Sequence, residues 1–356
     1  MRFQATEDNV RVIGRTIFEN GVRYLGYSAC SISFTFRGKK ASVKLISDTD
    51  AWDESLQARL AVYTDEGETP VKRFLPDGKE GEYVLYEAEE EKEVTITLEK
   101  YSEAAFARCG IVEIEIDTDD LLAPPSHKTR KMEIIGDSIT CGYGVEAPNE
   151  LTPFHTATEN PEKSYSRLTA KALDAEAHLI SWSGNGLISH YVEENAAEPR
   201  SEQLMPVLYP YTDLATAQFV YGEAAEKYPM WDFDSFVPDI ICVNLGTNDA
   251  SWCKDIPERR DAFCLAYQSF LGTIRKNNPG VPILCMLGTM DQRLCGEVEK
   301  AAALSNAAHG DSLVEFLHLP AQDPAVGFGA DWHPCARTQQ ETADLVAAKI
   351  RRMLNW

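Results

Sequence analysis

The sequence lacks several of the signals that would assign a chain to a class at once. Its nine cysteines include no Cys-X-X-Cys pair, so no zinc site or redox motif is predicted and reduced thiols are the simplest interpretation. No apolar run approaches the roughly 20 residues that cross a bilayer. The opening MRFQATEDNV contains no apolar segment of a secretory signal. We therefore expect a cytoplasmic protein with no membrane partner.

The sequence also has fewer positively charged than negatively charged residues. The 34 Lys and Arg residues face 56 Asp and Glu residues, which gives a net charge of −22 over 356 residues. Such a chain repels phosphate backbones and anionic lipid, so nucleic acid is not an expected partner and neutral substrates fit better. The length suggests two domains, and the chain contains neither an internal repeat nor a low-complexity tract.

The first part of the chain has the period-two alternation of β-strands and no long helical pattern. The strand-like segments are VRVIGRTIF, ACSISFTFRG, KASVKLISD, QARLAVYTD, EYVLYEA, KEVTITLEK and GIVEIEI. Seven short strands of this kind predict a β-sandwich, or jelly roll, over residues 1–122. The acidic, proline-containing and basic stretch that follows predicts a linker over residues 123–131.

Residues 132–356 alternate instead between strand-like and helix-like segments. The strands are MEIIG, HLISWSG, DIICVNLG, PILCMLG and SLVEFLHL, and the helices include PEKSYSRLTAKALDAEA, RRDAFCLAYQSFLGTIRKNN, EVEKAAALSNAAHG and QQETADLVAAKIRRML. This order predicts a doubly wound α/β domain with a parallel sheet. A long aromatic-rich connection between Asn185 and Phe236 is interpreted as helices capping the sheet, as a rim of the site or as a subunit contact, so a homo-oligomer stays open.

Polar residues follow four of the predicted strand or loop ends in this second domain. They are Gly136-Asp137-Ser138, Ser183-Gly184-Asn185-Gly186, Gly246-Thr247-Asn248-Asp249 and Asp331-Trp332-His333-Pro334. Reactive groups of open α/β sheets gather at the carboxyl ends of the strands. We therefore expect these four sets to meet at one edge of the sheet.

The residue types in these sets fit acyl transfer by a serine. The hydroxyl of Ser138 needs an adjacent base to become a nucleophile, and His333 is the histidine at a strand-end loop. The base needs an acceptor at its other ring nitrogen, which Asp331 supplies if the loop bends its carboxylate back. The backbone N–H groups of Ser138 and Gly184 and the amide of Asn248 are candidate donors to the oxyanion. No metal is required.

The same four sets carry a resemblance to the SGNH hydrolases, also called the GDSL-like family, with Ser138, Gly184, Asn248 and His333 as marker residues. The G-X-S-X-G elbow of α/β-hydrolases is absent. From the N-terminal domain through LLAPP, GDSITCGYG, SGNG, NLGTND and DWHP, the chain is most similar to carbohydrate esterase family 2. That resemblance implies removal of acetyl groups from plant polysaccharides, chiefly decorated xylan or mannan fragments, without a cofactor.

Asp331 and Trp332 are interpreted partly through this resemblance. Most SGNH hydrolases place the aspartate three residues before the histidine, whereas Asp331 lies two before His333. Some members of the esterase family use a backbone carbonyl there, so either group remains a candidate to orient His333. From the residues alone, Trp332 either packs against its neighbours or stacks against a sugar ring, and the resemblance implies that it lines the sugar site. Trp252, soon after Asn248 in the sequence, is a second candidate.

Two other functions stay open at this stage. One is an esterase or thioesterase of the same superfamily that acts on lipid-like acyl chains. The other is a carbohydrate-binding protein without catalytic activity. The polysaccharide backbone, the preferred hydroxyl position and the role of the N-terminal domain are not determined by these patterns.

Overall fold

The computed structural model describes residues 1–48 and 54–356. Its contacts divide the chain into two compact units. The N-terminal unit comprises residues 1–127, 155–159 and 212–231, and the C-terminal unit comprises residues 128–154, 160–211 and 232–356. The boundary at residue 127 lies inside the predicted linker. Two short segments from the second part of the chain belong to the N-terminal unit, which the sequence patterns do not indicate.

In its described residues, the N-terminal unit is built on one antiparallel sheet of nine strands. The strands are β1 (Arg2–Phe3), β2 (Arg11–Ile13), β3 (Ile17–Glu19), β4 (Val22–Leu25), β5 (Ser31–Ser47), β6 (Leu60–Thr64), β7 (Lys72–Phe74), β8 (Glu80–Lys100) and β9 (Cys109–Ile116). The prediction of an all-β N-terminal half is confirmed. The jelly-roll arrangement of these strands stays a prediction.

Two pairs of predicted strands are in fact single long strands. ACSISFTFRG and KASVKLISD form β5, and EYVLYEA and KEVTITLEK form β8. The two pair with each other in an antiparallel register that shifts between Gly38 and Lys40 and again between Ala41 and Ser42. A β-bulge bends a strand without ending it, so the glycine and charged residues that resemble turns in the sequence mark bulges here.

The C-terminal unit contains a parallel sheet of five strands in the order β11-β10-β12-β13-β14. The strands are β10 (Arg130–Gly136), β11 (Ala175–Ser181), β12 (Ile240–Asn244), β13 (Ile283–Leu287) and β14 (Val314–His318). Every residue of β11, β12 and β13 is buried, as expected of a parallel sheet with helices on both faces. The predicted doubly wound α/β architecture is confirmed.

The helices follow the strands in alternation. They are α1 (Ser138–Cys141), α2 (Tyr165–Ala172), α3 (Met205–Leu208), α4 (Leu214–Tyr221), α5 (Thr247–Cys253), α6 (Pro257–Asn277), α7 (Cys295–His309) and α8 (Ala336–Leu354), with single 3₁₀ turns at Glu54–Leu56, Thr156–Thr158, Pro161–Lys163, Ala225–Lys227 and Ala330–Trp332. Among the described residues, no helix combines the length and apolarity needed to span a membrane.

One predicted helix is shorter than its pattern suggested. PEKSYSRLTAKALDAEA covers residues 161–177, but α2 ends at Ala172 and the last three residues already belong to β11. Alanine and glutamate favour helix by intrinsic propensity, which is a weak preference that tertiary context overrides. Here parallel pairing with β10, which places Arg130 opposite Ala175, decides the conformation.

The sheet register brings the polar strand ends to one level. Gly136 at the end of β10 pairs with Ser181 at the end of β11 and with Asn244 at the end of β12. The residues that continue each strand therefore leave the sheet side by side. This edge carries the candidate site.

Candidate active site

Ser138 lies at the start of α1, directly after a tight turn from the central strand β10. The Asp137 side chain accepts a hydrogen bond from the backbone N–H of Ile139 at 3.0 Å and so caps the helix. A Cβ at Gly136 would lie 2.0 Å from Oγ1 of Thr140, so only glycine permits this turn. Ser138 is 5% exposed. Its hydroxyl is thus presented at the strand edge on a constrained backbone.

The imidazole of His333 lies against this hydroxyl. Its Nε2 is 2.8 Å from Oγ of Ser138, and its Nδ1 is 3.1 Å from the carbonyl oxygen of Ala330 and 3.2 Å from that of Asp331. Carbonyl oxygens only accept hydrogen bonds, so Nδ1 carries the ring proton. Nε2 is then left as the acceptor for the serine hydroxyl, which is the arrangement of a general base.

The protonation state of His333 suits this arrangement. Burial of the ring lowers the pKa of His333 to about 4, against the smaller raising effect of the hydrogen bonds to the Ala330 and Asp331 carbonyls. The ring is therefore neutral at neutral pH and can accept a proton from Ser138.

The Asp331 carboxylate does not orient the ring, which corrects the expectation for this residue. Its Oδ2 accepts a hydrogen bond of 2.8 Å from the hydroxyl of Tyr143. Asp331 has φ 48° and ψ 42°, a left-handed conformation in which its main-chain carbonyl oxygen lies 3.2 Å from Nδ1. Of the two alternatives left open by the sequence, the structure has the backbone carbonyl.

The loops that carry Ser138 and His333 are tied together by backbone contacts. The N–H of Ala330 donates to the carbonyl of Gly144 at 3.1 Å, while within the His333 loop the N–H of Gly329 donates to the carbonyl of His333 at 2.8 Å. A Cβ at Gly329 would lie 2.5 Å from the Gly144 oxygen. The two segments approach so closely because residues 144 and 329 are both glycine.

Asn248 links three of the four strand-end sets. It lies in the first turn of α5, and its Nδ2 donates to the backbone oxygen of Asn185 at 2.8 Å and to Oδ2 of Asp137 at 3.2 Å. Its side chain therefore reaches the residue before Ser138 and the residue after Gly184. The amide therefore holds the loop before Ser138 and the loop after Gly184 together.

The loop that contains Gly184 is braced by Asp249. Its buried carboxylate accepts hydrogen bonds from the N–H groups of Leu187, Ile188 and Ser189 at 2.7 to 3.1 Å. Burial raises the pKa of Asp249 to about 6, although these three bonds favour the charged form. Gly184 itself has φ +74°, and the space that a Cβ would fill is empty. Its left-handed backbone and open surroundings suit an exposed N–H donor.

A cavity of ≈ 270 Å³ opens beside Gly184. Its walls include the aromatic rings of Trp182 and Tyr191 and the polar side chains of His190, Arg200 and Glu202. Hydrogen bonds hold these walls, for example from the Tyr191 N–H to the Gly184 carbonyl at 2.9 Å and from the His190 N–H to the Arg200 carbonyl at 2.7 Å. The lining of this cavity thus combines aromatic with polar and charged residues.

The two candidate tryptophans differ in their surroundings. Trp332 precedes His333, is 54% exposed and packs against Phe328 with ring centroids 5.2 Å apart. Trp252 lies one helical turn after Asn248 on α5, and the guanidinium of Arg259 covers one face of its ring at 3.5 Å. Trp332 has the more accessible ring.

Sequence reasoning missed Tyr143 and Ala330. Tyr143 lies on the imidazole of His333, and Ala330 supplies a carbonyl to it. The signal for Tyr143 is its place between Gly142 and Gly144, which both have positive φ and so mark a turn of defined shape. No local pattern distinguishes Ala330, because its contribution is a backbone atom.

Comparison with known proteins shows the family of the chain. Residues 134–348, more than half of the chain, match the GDSL-like Lipase/Acylhydrolase family. The chain belongs to this family. Ahead of the GDSL-like region, residues 12–125 match the Carbohydrate esterase 2 N-terminal family. The resemblance drawn from the sequence motifs is confirmed.

Several known proteins resemble the chain over nearly its whole length. Cellulase/esterase CelE of Acetivibrio thermocellus is 30% identical over 98% of this chain, which spans 40% of CelE. An acetylxylan esterase / glucomannan deacetylase of Cellvibrio japonicus is 25% identical over 99% of this chain and 91% of its own. The structure of a family two carbohydrate esterase from Clostridium thermocellum, in complex with cellohexaose, superposes with a TM-score of 0.84 at 30% identity over 98% of this chain and 99% of that one.

Proposed function

We propose that the protein is a serine esterase that removes O-acetyl groups from carbohydrates through an acyl-enzyme. The single observation that carries this proposal is the 2.8 Å contact between Nε2 of His333 and Oγ of Ser138, with the proton of the ring held at Nδ1. The acetylxylan esterase and carbohydrate esterase names of its relatives support the acetylated sugar as substrate.

In the first half-reaction Oγ of Ser138 attacks the acetyl carbonyl carbon and its proton passes to Nε2 of His333. The resulting imidazolium keeps its Nδ1 proton on the carbonyls of Ala330 and Asp331. The tetrahedral oxyanion receives hydrogen bonds from the N–H groups of Ser138 and Gly184 and from the amide of Asn248. His333 then gives its Nε2 proton to the departing sugar oxygen, which leaves acetyl-Ser138.

In the second half-reaction His333 takes a proton from water, whose oxygen attacks the acetyl carbonyl. The same donors hold the second oxyanion. The proton returns from Nε2 to Oγ as acetate leaves. Each of these steps uses groups of the chain itself and no cofactor.

The expected substrates are acetylated xylan or mannan oligosaccharides of plant origin. The aromatic and polar walls of the cavity beside Gly184 provide places for sugar rings, and the exposed ring of Trp332 beside His333 provides a second stacking surface. The cytoplasmic location and the homo-oligomer stay predictions.

The experiment is acetate release from acetylated xylo- and manno-oligosaccharides by the parent protein and by Ser138→Ala. We expect steady release by the parent and a loss of at least about 1000-fold in the variant, with sugar binding retained. Nuclear magnetic resonance of the products identifies the hydroxyl that is cleared. Equal release by the two proteins would refute the mechanism, and binding without release by the parent would favour a carbohydrate-binding protein.

The alternative of a lipid-like acyl substrate is tested by chain length. We expect hydrolysis of acetyl esters to exceed that of octanoyl esters carrying the same leaving group. Faster hydrolysis of the octanoyl ester would replace the carbohydrate proposal with a lipid-like acyl esterase.

A further inference from the structure

The ring of Tyr143 covers one face of the catalytic imidazole. The ring centroids of Tyr143 and His333 are 4.2 Å apart with an interplanar angle of 32°. The opposite face of Tyr143 stacks on Phe154, with centroids 3.8 Å apart and an angle of 12°. The rings of these three residues thus form one continuous stack. Rotation of the imidazole away from Ser138 would break its contact with Tyr143.

The hydroxyl of Tyr143 also reaches the residue whose carbonyl faces the imidazole. It donates to Oδ2 of Asp331 at 2.8 Å, while the main-chain oxygen of Asp331 lies 3.2 Å from Nδ1 of His333. Asp331 and Trp332 have φ values of 48° and 64°. Two successive non-glycine residues in this left-handed region are unfavourable and persist only where surrounding contacts hold them. The Tyr143 hydroxyl is one of those contacts.

Tyr143 is itself attached to the segment that carries the nucleophile. Its backbone N–H donates to the carbonyl of Ser138 at 3.1 Å, directly after the end of α1. The flanking Gly142 and Gly144 have φ values of +79° and +56°, which sets the direction of the Tyr143 side chain. The position of the ring is therefore defined relative to Ser138 and not only relative to the His333 loop.

We propose that Tyr143 is a positioning residue for His333. Its ring restrains the imidazole, and its hydrogen bond to Asp331 holds the turn whose carbonyl accepts the Nδ1 proton. Together they do the work that a carboxylate in contact with the imidazole does in a Ser-His-Asp triad. The proposal rests on the proposed esterase function of the site.

The first test compares Tyr143→Phe with Tyr143→Leu on a small acetyl ester. The phenylalanine keeps the ring and removes the hydrogen bond, and we expect kcat to fall roughly 10-fold with KM unchanged. The leucine removes both contacts and is expected to lower kcat further. Tyr83→Phe is the matched control, because it deletes a tyrosine–aspartate hydrogen bond of 2.6 Å, to Asp77, in the N-terminal unit; its kcat should equal that of the parent.

The second test changes the partner of the hydroxyl. Asp331→Asn keeps an oxygen that accepts from Tyr143, whereas Asp331→Gly removes it and still adopts the left-handed backbone without strain. We expect Asp331→Asn to keep most of the parental kcat and Asp331→Gly to lose as much kcat as Tyr143→Phe. The double variant Tyr143→Phe/Asp331→Gly should lose no more kcat than either single variant.

Any one of three results would overturn the proposal. The first is a parental kcat in Tyr143→Phe, and the second is an equal loss of kcat in Asp331→Asn and Asp331→Gly. The third is a loss of kcat in the double variant that equals the product of the two single losses. If Tyr143→Phe fails to fold, the comparison of Asp331→Asn with Asp331→Gly still tests the proposal. Absence of acetyl release by the parent protein would instead be a failure of the proposed function, so the two outcomes are distinguishable.

Discussion

In the folded chain Nε2 of His333 lies 2.8 Å from Oγ of Ser138, although the two residues are 195 positions apart. The neutral form of the ring is the one that accepts the serine proton. Burial lowers the pKa of His333 to about 4, below the value of about 6.5 for an ordinary histidine. This shift sets the pH range over which the ring is neutral.

We therefore expect kcat/KM for an acetyl ester to be flat from about pH 5 to neutrality and to fall as pH decreases through about 4, because the imidazolium cannot accept a proton. The measurement is a pH–rate profile, with circular dichroism at each pH to verify that the chain stays folded. An inflection near pH 6.5 would contradict the lowered pKa.

A second prediction concerns Asp249, which accepts hydrogen bonds from three N–H groups of the loop after Gly184. In Asp249→Asn the amide group faces at least one of these donors, so we expect a loss of about 1–3 kcal/mol in the free energy of unfolding and a lower kcat. Asp232→Asn is the control, since its exposed carboxylate accepts from the N–H of Asp234. Chemical denaturation of both variants checks this; equal stability would contradict it.

The same carboxylate extends this second prediction to the pH dependence of stability. The pKa of Asp249 in the folded chain is about 6, above its ordinary value of 3.8, so the folded state holds this proton more tightly than the unfolded state. The contribution to stability is therefore fully present below about pH 4 and is lost as pH rises through 6. The difference in unfolding free energy between the parent and Asp249→Asn should change across this window, and a constant difference would be evidence against the shift.

A third prediction separates two glycines of one loop. A Cβ at Gly186 would lie 2.2 Å from the Ser189 carbonyl and 2.5 Å from Oδ2 of Asp249, whereas a Cβ at Gly184 meets no atom within 4 Å. Gly184→Ala should cost only the strain of its positive φ, about 1–2 kcal/mol, and Gly186→Ala should cost more and lower kcat more. Thermal unfolding and acetate release measure both; the reverse order would be inconsistent with this loop geometry.

A fourth prediction concerns the tryptophans as sugar platforms. The ring of Trp332 is exposed beside His333, so Trp332→Ala should raise KM for acetylated oligosaccharides several-fold and leave KM for a small acetyl ester unchanged. Trp252→Ala should have the smaller effect on the oligosaccharide, because Arg259 already covers one ring face. Initial-rate kinetics on the two substrates test this, and an equal rise in KM for both would argue against stacking by Trp332.

By itself the sequence determined which segments of the C-terminal unit form its parallel strands and which residues follow the strand ends. The alternation of buried strands and amphipathic helices is a local pattern, because burial on a regular element repeats with the period of that element. Once the strands are parallel, the positions of Ser138, Gly184, Asn248 and His333 at one edge follow. The sequence did not reveal that β5 and β8 are continuous, because a bulge and a turn use the same residue types.

Only the tertiary structure decided how His333 is held. The direction of the Asp331 side chain depends on a left-handed backbone conformation, which is set by contacts with Tyr143 and Gly144 nearly two hundred positions earlier. The sequence cannot single out the main-chain oxygen of Ala330 as a hydrogen-bond acceptor for His333, since every residue carries such an oxygen. Local sequence patterns encode which residues are buried and where helices and strands end. The partner of a particular hydrogen bond depends instead on segments, distant in the sequence, that come into contact only when the chain folds.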